Sequence, residues 1–352
     1  MPERPPPIER GDWLIFLLGL VFILLANTDI FSGASQRVVQ GIGLSVMGYA
    51  PIRLIIAAPE LYRAWQTKRR LDDLFEPAVR VVDTPETLPI FIATDVEGCL
   101  TPPQRSLLDL RKFQRIRSYS DFARANREQG YPPLVMFTGR SQGYVELLVQ
   151  ALGMIDPDLD LPSVIENGCG LYFPAKRQTI PIITEKQQQT MTAVFSALRS
   201  SLPMNEFEPK VYMVTLNPMP GQMIQDLRDR ISEALARANL RAEVNIDSSA
   251  SAIDITPTGA SKLTGLERVL EEYRRLRPDS SATLMDIVAL GDSTSDLPVV
   301  DAVGRAYCPA EEVHPEVRRL IEQKFGPDHV INYRHIDFVL TVVERETGLH
   351  AV

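Results

Sequence analysis

The chain has 352 residues, 45% of them hydrophobic and 23% charged, with a formal net charge of −8. That is the make-up of a folded globule with room for one large domain or two medium ones, and its acidic balance excludes the basic face that a nucleic-acid partner rewards. Cys99, Cys169 and Cys308 are far apart and form no CxxC pair, which argues against a disulfide framework or a thiolate zinc site and for a reducing compartment.

Trp13 to Thr28 is an uncharged run of 16 residues bounded by Asp12 and Asp29, between a signal-peptide core and a full span in length. The stretch before it carries two arginines against three acids, so secretory cleavage and export are not expected. A second apolar stretch, Val38 to Ala58, is interrupted by Pro51 and Arg53. Arg63, Lys68, Arg69 and Arg70 follow it, whereas the loop between the two stretches holds only Arg37. Positive charge gathers on the cytoplasmic side, so a hairpin would keep both ends in the cytosol. The expectation is therefore an N-terminal hydrophobic helical hairpin and linker helix over 1–75. Membrane association would run through residues 13–58, beside a cytoplasmic catalytic domain. The alternatives are a buried helix pair or a single interfacial helix. Gly41-Ile42-Gly43 has no strand before it, so it is not read as a dinucleotide loop.

Residues 59–86 read as a charged connecting helix and linker ending near Pro77 and Pro85. Beyond them, short apolar strands alternate with amphipathic helices, the pattern of a Rossmann-like parallel sheet in an α/β fold. Pro89 to Thr94, Leu134 to Phe137 and Ile287 to Leu290 are continuous apolar runs, as buried parallel strands are. Each ends in a polar cluster: DVEG, TGRS and GDSTSD. Ligands of open α/β sheets sit beyond the carboxyl ends of the strands, so the three clusters are expected to converge. Between the second and third lies an inserted small α/β unit: a helix over Thr184 to Ser201, a strand over Lys210 to Leu216, a helix over Gln222 to Asn239, and strands over Arg241 to Ile246 and Ala252 to Ile255. The expected division is a core over 86–178 and 252–345 with a cap over 179–251.

The clusters carry a chemistry. An aspartate at the tip of a buried strand is poorly solvated, and carboxylates can accept a phosphoryl group and pass it to water. Asp95 and Glu97 fall on one side of an extended chain, which suits a nucleophile with a proton shuttle, and Gly98 permits the turn that follows. The Thr138 hydroxyl and amide are suitable donors to phosphate oxygens. Lys262 opens a helix whose core face is Leu263, Leu266, Leu270 and Tyr273, where an ammonium and the helix N-terminus both favour an anion. Asp292 and Asp296 are hard oxygen donors of the kind that hold magnesium beside a phosphate. Bland roles compete: Glu97 as a turn cap, Arg140 as partner of a surface acid, and Met219 and Met223 as cap packing. The four histidines are scattered and read as structural or exposed.

These motifs together resemble the haloacid dehalogenase superfamily of phosphohydrolases, in order and over roughly Leu88 to Asp337. Asp95-Val96-Glu97-Gly98-Cys99-Leu100-Thr101 is similar to the first motif and Phe137-Thr138-Gly139-Arg140-Ser141 to the second. Lys262 is similar to the third and Gly291-Asp292-Ser293-Thr294-Ser295-Asp296 to the fourth. An insertion after the second motif implies a C2-type cap, as in sucrose-phosphate and mannosyl-3-phosphoglycerate phosphatases, in which the segment matching Glu166-Asn167-Gly168 is common. The resemblance implies Asp95 as nucleophile and Glu97 as general acid/base. Thr138 and Lys262 would bind the phosphoryl group, and Asp95, Glu97 (through its carbonyl), Asp292 and Asp296 would hold or adjoin Mg2+. Gly139 and Arg140 are further candidate substrate contacts, and Glu166 and Asn167 would position the loop facing the site, with substrate contact the lesser reading. The implied activity is magnesium-dependent hydrolysis of a small phosphate monoester, a sugar phosphate or glycosyl-phosphoglycerate.

Two departures bear on turnover. Glu97 stands where the family usually has Asp, and Ser295 where it usually has Asn. The extra methylene moves a proton donor by about 1.5 Å at most, and misplacement on that scale costs on the order of 100-fold in rate. The rival readings are a tethered binding module without turnover and a phosphomutase.

Overall fold

In the parallel strands Phe91–Thr94, Leu134–Met136 and Ile287–Leu290 every side chain is buried, and period two decides which layer each one enters. The computed structural model describes residues 79–81, 87–102, 110–249 and 251–351. The chain divides into two units, Met1–Glu76 and Pro77–Val352, and all described elements lie in the second. The expected hairpin over 1–75 lies outside the described residues. Among those residues, no helix is long and apolar enough to cross a membrane.

The elements begin with β1 (Val79–Val81), β2 (Phe91–Thr94), α1 (Leu110–Ala125), β3 (Leu134–Met136), α2 (Gln142–Ala151) and β4 (Ser163–Ile165). A hairpin of β5 (Gly170–Phe173) and β6 (Gln178–Pro181) leads into α3 (Glu185–Ser201), β7 (Glu206–Phe207), β8 (Val214–Asn217), α4 (Ile224–Arg237), β9 (Val244–Ser248) and β10 (Ile253–Pro257). The chain then returns through α5 (Lys262–Leu276), β11 (Ile287–Leu290), α6 (Leu297–Ala302), β12 (Arg305–Pro309), α7 (Pro315–Phe325), β13 (Val330–Ile331), α8 (His335–Thr347) and β14 (Leu349–Ala351).

The central sheet has the order β13-β12-β11-β2-β3 and is parallel throughout. Phe91 and Ala93 of β2 face one layer, with Leu266 and Val269 of α5 and Ile321 of α7. Ile92 faces the other, with Ile116 of α1, Val145 of α2 and Val342 of α8. A parallel bridge between Phe137 and Val164 extends this sheet toward the antiparallel β4-β5-β6 ladder. The strands run parallel, so the carboxyl ends of β2, β3 and β11 lie at one edge, and the strand order switches at β2, where an open sheet forms its crevice. This bears out the expected parallel sheet.

The insertion is a second layer pair. Its antiparallel sheet has the order β7-β8-β10-β9. Val194 and Leu198 of α3 and Leu227 and Ile231 of α4 bury against Leu216, Ile246, Ile253 and Ile255 of the sheet. The β10 strand pairs with β8 over Ile253 to Ile255 and with β9 over Ile253 to Pro257, so the insertion's sheet continues past residue 251, where the sequence reading returned to the core. A strand over 210–213 does not form, because the amides of Val211, Tyr212 and Met213 donate to the Glu166 carboxylate instead of to a neighbouring strand. Met223, read as packing, is 66% exposed. The expected helix over Lys262 to Leu276 forms over that span, capped by Ser261, whose hydroxyl accepts from the Thr264 amide at 3.1 Å.

Candidate active site

Asp95 follows the last residue of β2, and its amide donates to the Leu290 carbonyl at 2.9 Å, which ties the tip of β2 to that of β11. Its side chain is 5% exposed. Lys262 lies on the first turn of α5 and is 3% exposed. Its Nζ donates to Asp95 Oδ2 at 2.9 Å and to Asp296 Oδ1 at 2.7 Å. The other Asp95 oxygen accepts from the Val96 amide at 2.7 Å. Asp296, fully buried, receives the amides of Asp292 and Ser293 and the Ser293 hydroxyl on its Oδ2, at 2.9–3.0 Å. Both of its oxygens are thereby engaged. Asp296 orients the lysine and the turn after β11, and it stands in the acidic cluster with Asp95 and Asp292.

Two close backbone approaches assemble the cluster. Gly98 has φ +78°, and a Cβ there would stand 2.1 Å from Asp292 Oδ2. Gly168 has φ +89°, and a Cβ there would stand 1.8 Å from the Ser261 carbonyl, so only glycine lets the start of α5 bring Lys262 this close.

Carboxylate oxygens of Asp95, Asp292 and Asp296 lie within 4.8 Å of one another. Three such groups beside one ammonium leave net negative charge in a dry pocket, and the acids respond to it. Burial, opposed by Lys262 and reinforced by Asp296, raises Asp95 from 3.8 to about 7. Burial and then repulsion from Asp95 and Asp296 raise Asp292 to about 9. Lys262 goes the other way: burial disfavours its charge, but Asp296 and Asp95 overcome that and hold it protonated well above the ordinary range. A hard divalent cation between Asp95 and Asp292 would remove the conflict, and the oxygen-only donor set fits one.

Thr138 is buried beyond β3. Its amide donates to the Val164 carbonyl at 3.0 Å rather than toward a ligand, and its hydroxyl accepts from the Arg140 amide at 3.2 Å. The hydroxyl hydrogen is the donor it has left for a phosphate; the amide, read as a second donor, is committed to the sheet.

Glu97 forms an ion pair with the Arg140 guanidinium, and its side chain is 36% exposed. Arg140 also lies 3.8 Å from Glu208 Oε2, and its guanidinium carbon stands 5.3 Å from the centre of the Tyr144 ring. Glu166 and Asn167 take left-handed backbone, φ 50° and 53°. The Glu166 carboxylate is fully buried and accepts four hydrogen bonds from the amides of Val211, Tyr212 and Met213 at 2.6–3.2 Å. Asn167 donates to Asp254 Oδ2 at 3.0 Å, and Thr215 to Asp254 Oδ1 at 2.6 Å. These two residues fasten the insertion to the core.

Sequence reasoning missed Glu208 and Lys210. Lys210 Nζ donates to the Gly139 carbonyl at 2.7 Å and lies 3.2 Å from Glu208 Oε2, with its side chain 5% exposed. Their one signal is a charged pair at the edge of KVYMVTL, and it was absorbed into an expected strand. Cys99 is a further buried neighbour, its Sγ 3.7 Å from Asp292 Oδ1.

No family model matches the sequence. A phosphoglycolate phosphatase from Methanothermobacter thermautotrophicus is 23% identical over 260 residues, which are 73% of this chain and 98% of that protein. A solved Thermoplasma acidophilum protein is similar with a TM-score of 0.52 at 18% identity, over 74% of this chain and 99% of that one. The sucrose-phosphatase of Synechocystis, solved with sucrose and phosphate, gives 0.51 at 13% identity over 74% and 98%. A haloacid dehalogenase-like hydrolase from Bacteroides thetaiotaomicron gives 0.51 at 16% identity over 72% and 98%. The structural likenesses establish the fold. The order of the motifs and the meeting of Asp95, Lys262, Asp292 and Asp296 at one sheet edge are similar to those of the haloacid dehalogenase superfamily.

Proposed function

We propose that the protein is a phosphoric monoester hydrolase acting on a small phosphorylated metabolite through a phosphorylated Asp95. One observation carries this reading: the buried Lys262 ammonium bridges Asp95 and Asp296 beside Asp292. That arrangement suits a carboxylate that must approach a dianionic phosphoryl group. The relative named as a phosphoglycolate phosphatase supports the substrate class.

Asp95 attacks phosphorus in line, and the phosphorus–oxygen bond to the alcohol breaks as Glu97 gives that oxygen its proton. Lys262 favours the ionised nucleophile and receives the phosphoryl oxygens, with the Thr138 hydroxyl as a second donor. Glu97 then takes a proton from water, which attacks the acyl phosphate and releases inorganic phosphate and free Asp95. Asp95, the Glu97 carbonyl and Asp292 would hold Mg2+, which supplies neutralisation of the transferring group when bound. Glu97 has to leave Arg140 to do its work.

Full-length protein assayed for phosphate release from p-nitrophenyl phosphate with Mg2+, beside Asp95→Asn, tests this reading. No release above the Asp95→Asn control sinks it and favours a binding module without turnover. The feature favouring that second reading is the engagement of Glu97 by Arg140, together with Ser295 held by Ser293 at 2.9 Å. The substrate reading stays with a sugar phosphate or a phosphoglycerate type. Residues 13–58 are proposed as a membrane anchor, and full-length protein remaining in the supernatant after high-speed centrifugation without detergent refutes that.

A further inference from the structure

The inserted unit brings a cation to the site. Lys210 extends from the segment between β7 and β8 to the Gly139 carbonyl, the residue after Thr138. A lysine ammonium has three hydrogens to donate. Gly139 at 2.7 Å and Glu208 at 3.2 Å account for two, although the side chain is 5% exposed. Beside it, the Arg140 guanidinium has a buried Nε–H with no hydrogen-bond partner. A buried unmatched donor is uncommon and calls for a physical reason. Arg140 holds Glu97, so it stands on the leaving-group side of the phosphoryl position.

Glu97 and Glu208 face Arg140 and Lys210, and the Glu166 carboxylate also acts on Lys210. When Glu97 turns to the leaving oxygen, Arg140 loses that ion pair and keeps Glu208 at 3.8 Å. A carboxylate in its place accepts from both the Arg140 fork and the spare Lys210 hydrogen.

We propose that Lys210 and Arg140 form a clamp for a second anionic group on the leaving alcohol, and that the preferred substrates are phosphate monoesters of hydroxycarboxylic acids. Lys210 is then the specificity-determining residue contributed by the insertion, and Glu208 is the positioning residue that holds both cations in place. The inference rests on the phosphatase reading and chooses between its two substrate classes, against neutral sugar phosphates.

The test compares kcat/KM of the full-length protein with Mg2+ for 2-phosphoglycolate and for ethyl phosphate, which differ by the carboxylate. The same ratio is measured for Lys210→Met and Lys210→Arg. The wild type is expected to favour 2-phosphoglycolate by roughly 10- to 100-fold, the range for hydrogen bonds to a charged group. Lys210→Met should bring the ratio close to one, chiefly through a higher KM, and Lys210→Arg should restore most of it. A wild type that hydrolyses both esters equally overturns the clamp and leaves the phosphatase reading standing. So does a folded Lys210→Met, judged by its melting curve, with an unchanged ratio. A wild type that hydrolyses neither of these nor p-nitrophenyl phosphate overturns both.

Discussion

Replacing Lys262 by Met removes the ammonium at the centre of the site and keeps the length of the buried stem. The lysine makes ion pairs of 2.9 Å with Asp95 and 2.7 Å with Asp296, and both partners are almost wholly buried. At an effective dielectric of about 20, each pair is worth roughly 6 kcal/mol of gross attraction. Desolvation of the three groups offsets much of that, so the net cost of removing one partner is about 3–5 kcal/mol. For a unit of this size, that lowers the melting midpoint by roughly 6–20 °C. Phosphate release should fall by on the order of 1000-fold, since Asp95 then meets a phosphoryl dianion without its counter-charge. The assay is urea and thermal unfolding at pH 7.5 with parallel turnover. A double variant with Asp296→Asn completes the cycle: it should be less destabilised than the sum of the single changes, because Asp296 without Lys262 is an unpaired buried charge. A Lys262→Met protein within about 1 kcal/mol of wild type, or additive single changes, would refute the claim that this ion pair organises the site.

Without Mg2+, stability should fall as pH rises from about 4 toward about 9, since Asp95 and Asp292 keep protons up to about 7 and about 9 in the folded state and release them near 3.8 when unfolded. Saturating Mg2+ should flatten that slope, and urea midpoints at pH 5 and 8.5 in EDTA or Mg2+ will show it; an equally steep slope in Mg2+ speaks against cation binding by these acids. Gly98→Ala forces a Cβ into Asp292 at 2.1 Å and strains a φ of +78°. Its expected effects are a weaker apparent Mg2+ affinity in activity titrations and a stability loss of about 1–2 kcal/mol. Glu166→Gln turns a donor toward the amides of residues 211–213, in place of a carboxylate that accepts four bonds. It should cost about 2–3 kcal/mol and open the insertion to limited proteolysis, and a protease pattern identical to wild type would contradict the fastening role.

The core of the site was legible in the chain because its information is local. Asp95, Thr138 and Asp292 each follow a continuous apolar run, and buried parallel strands require such runs and deliver ligands at their carboxyl ends. Lys262 follows Ser261, a helix cap whose hydroxyl bond forms as its residue type allows. The helix over 262–276 formed over its expected span for the same reason: an apolar stripe and a cap are enough to define it.

The rest depended on partners distant in sequence. KVYMVTL has the composition of a strand, yet residues 211–213 gave up that pairing to the Glu166 carboxylate, 45 residues away. Asp296 was legible as an acid by residue type, and only the placement of Lys262 and the amides after β11 shows that it also orients them. Glu208 and Lys210 carried no motif, and only the docking of the insertion set them beside Gly139 and Arg140. The sequence by itself determined the parallel core and the identity of the acids and the lysine, because burial period and cap chemistry act within a few residues. The tertiary structure decided which charged groups share a charge, because Coulomb and hydrogen-bond partners are chosen by distance in space, and the chain order does not contain that distance.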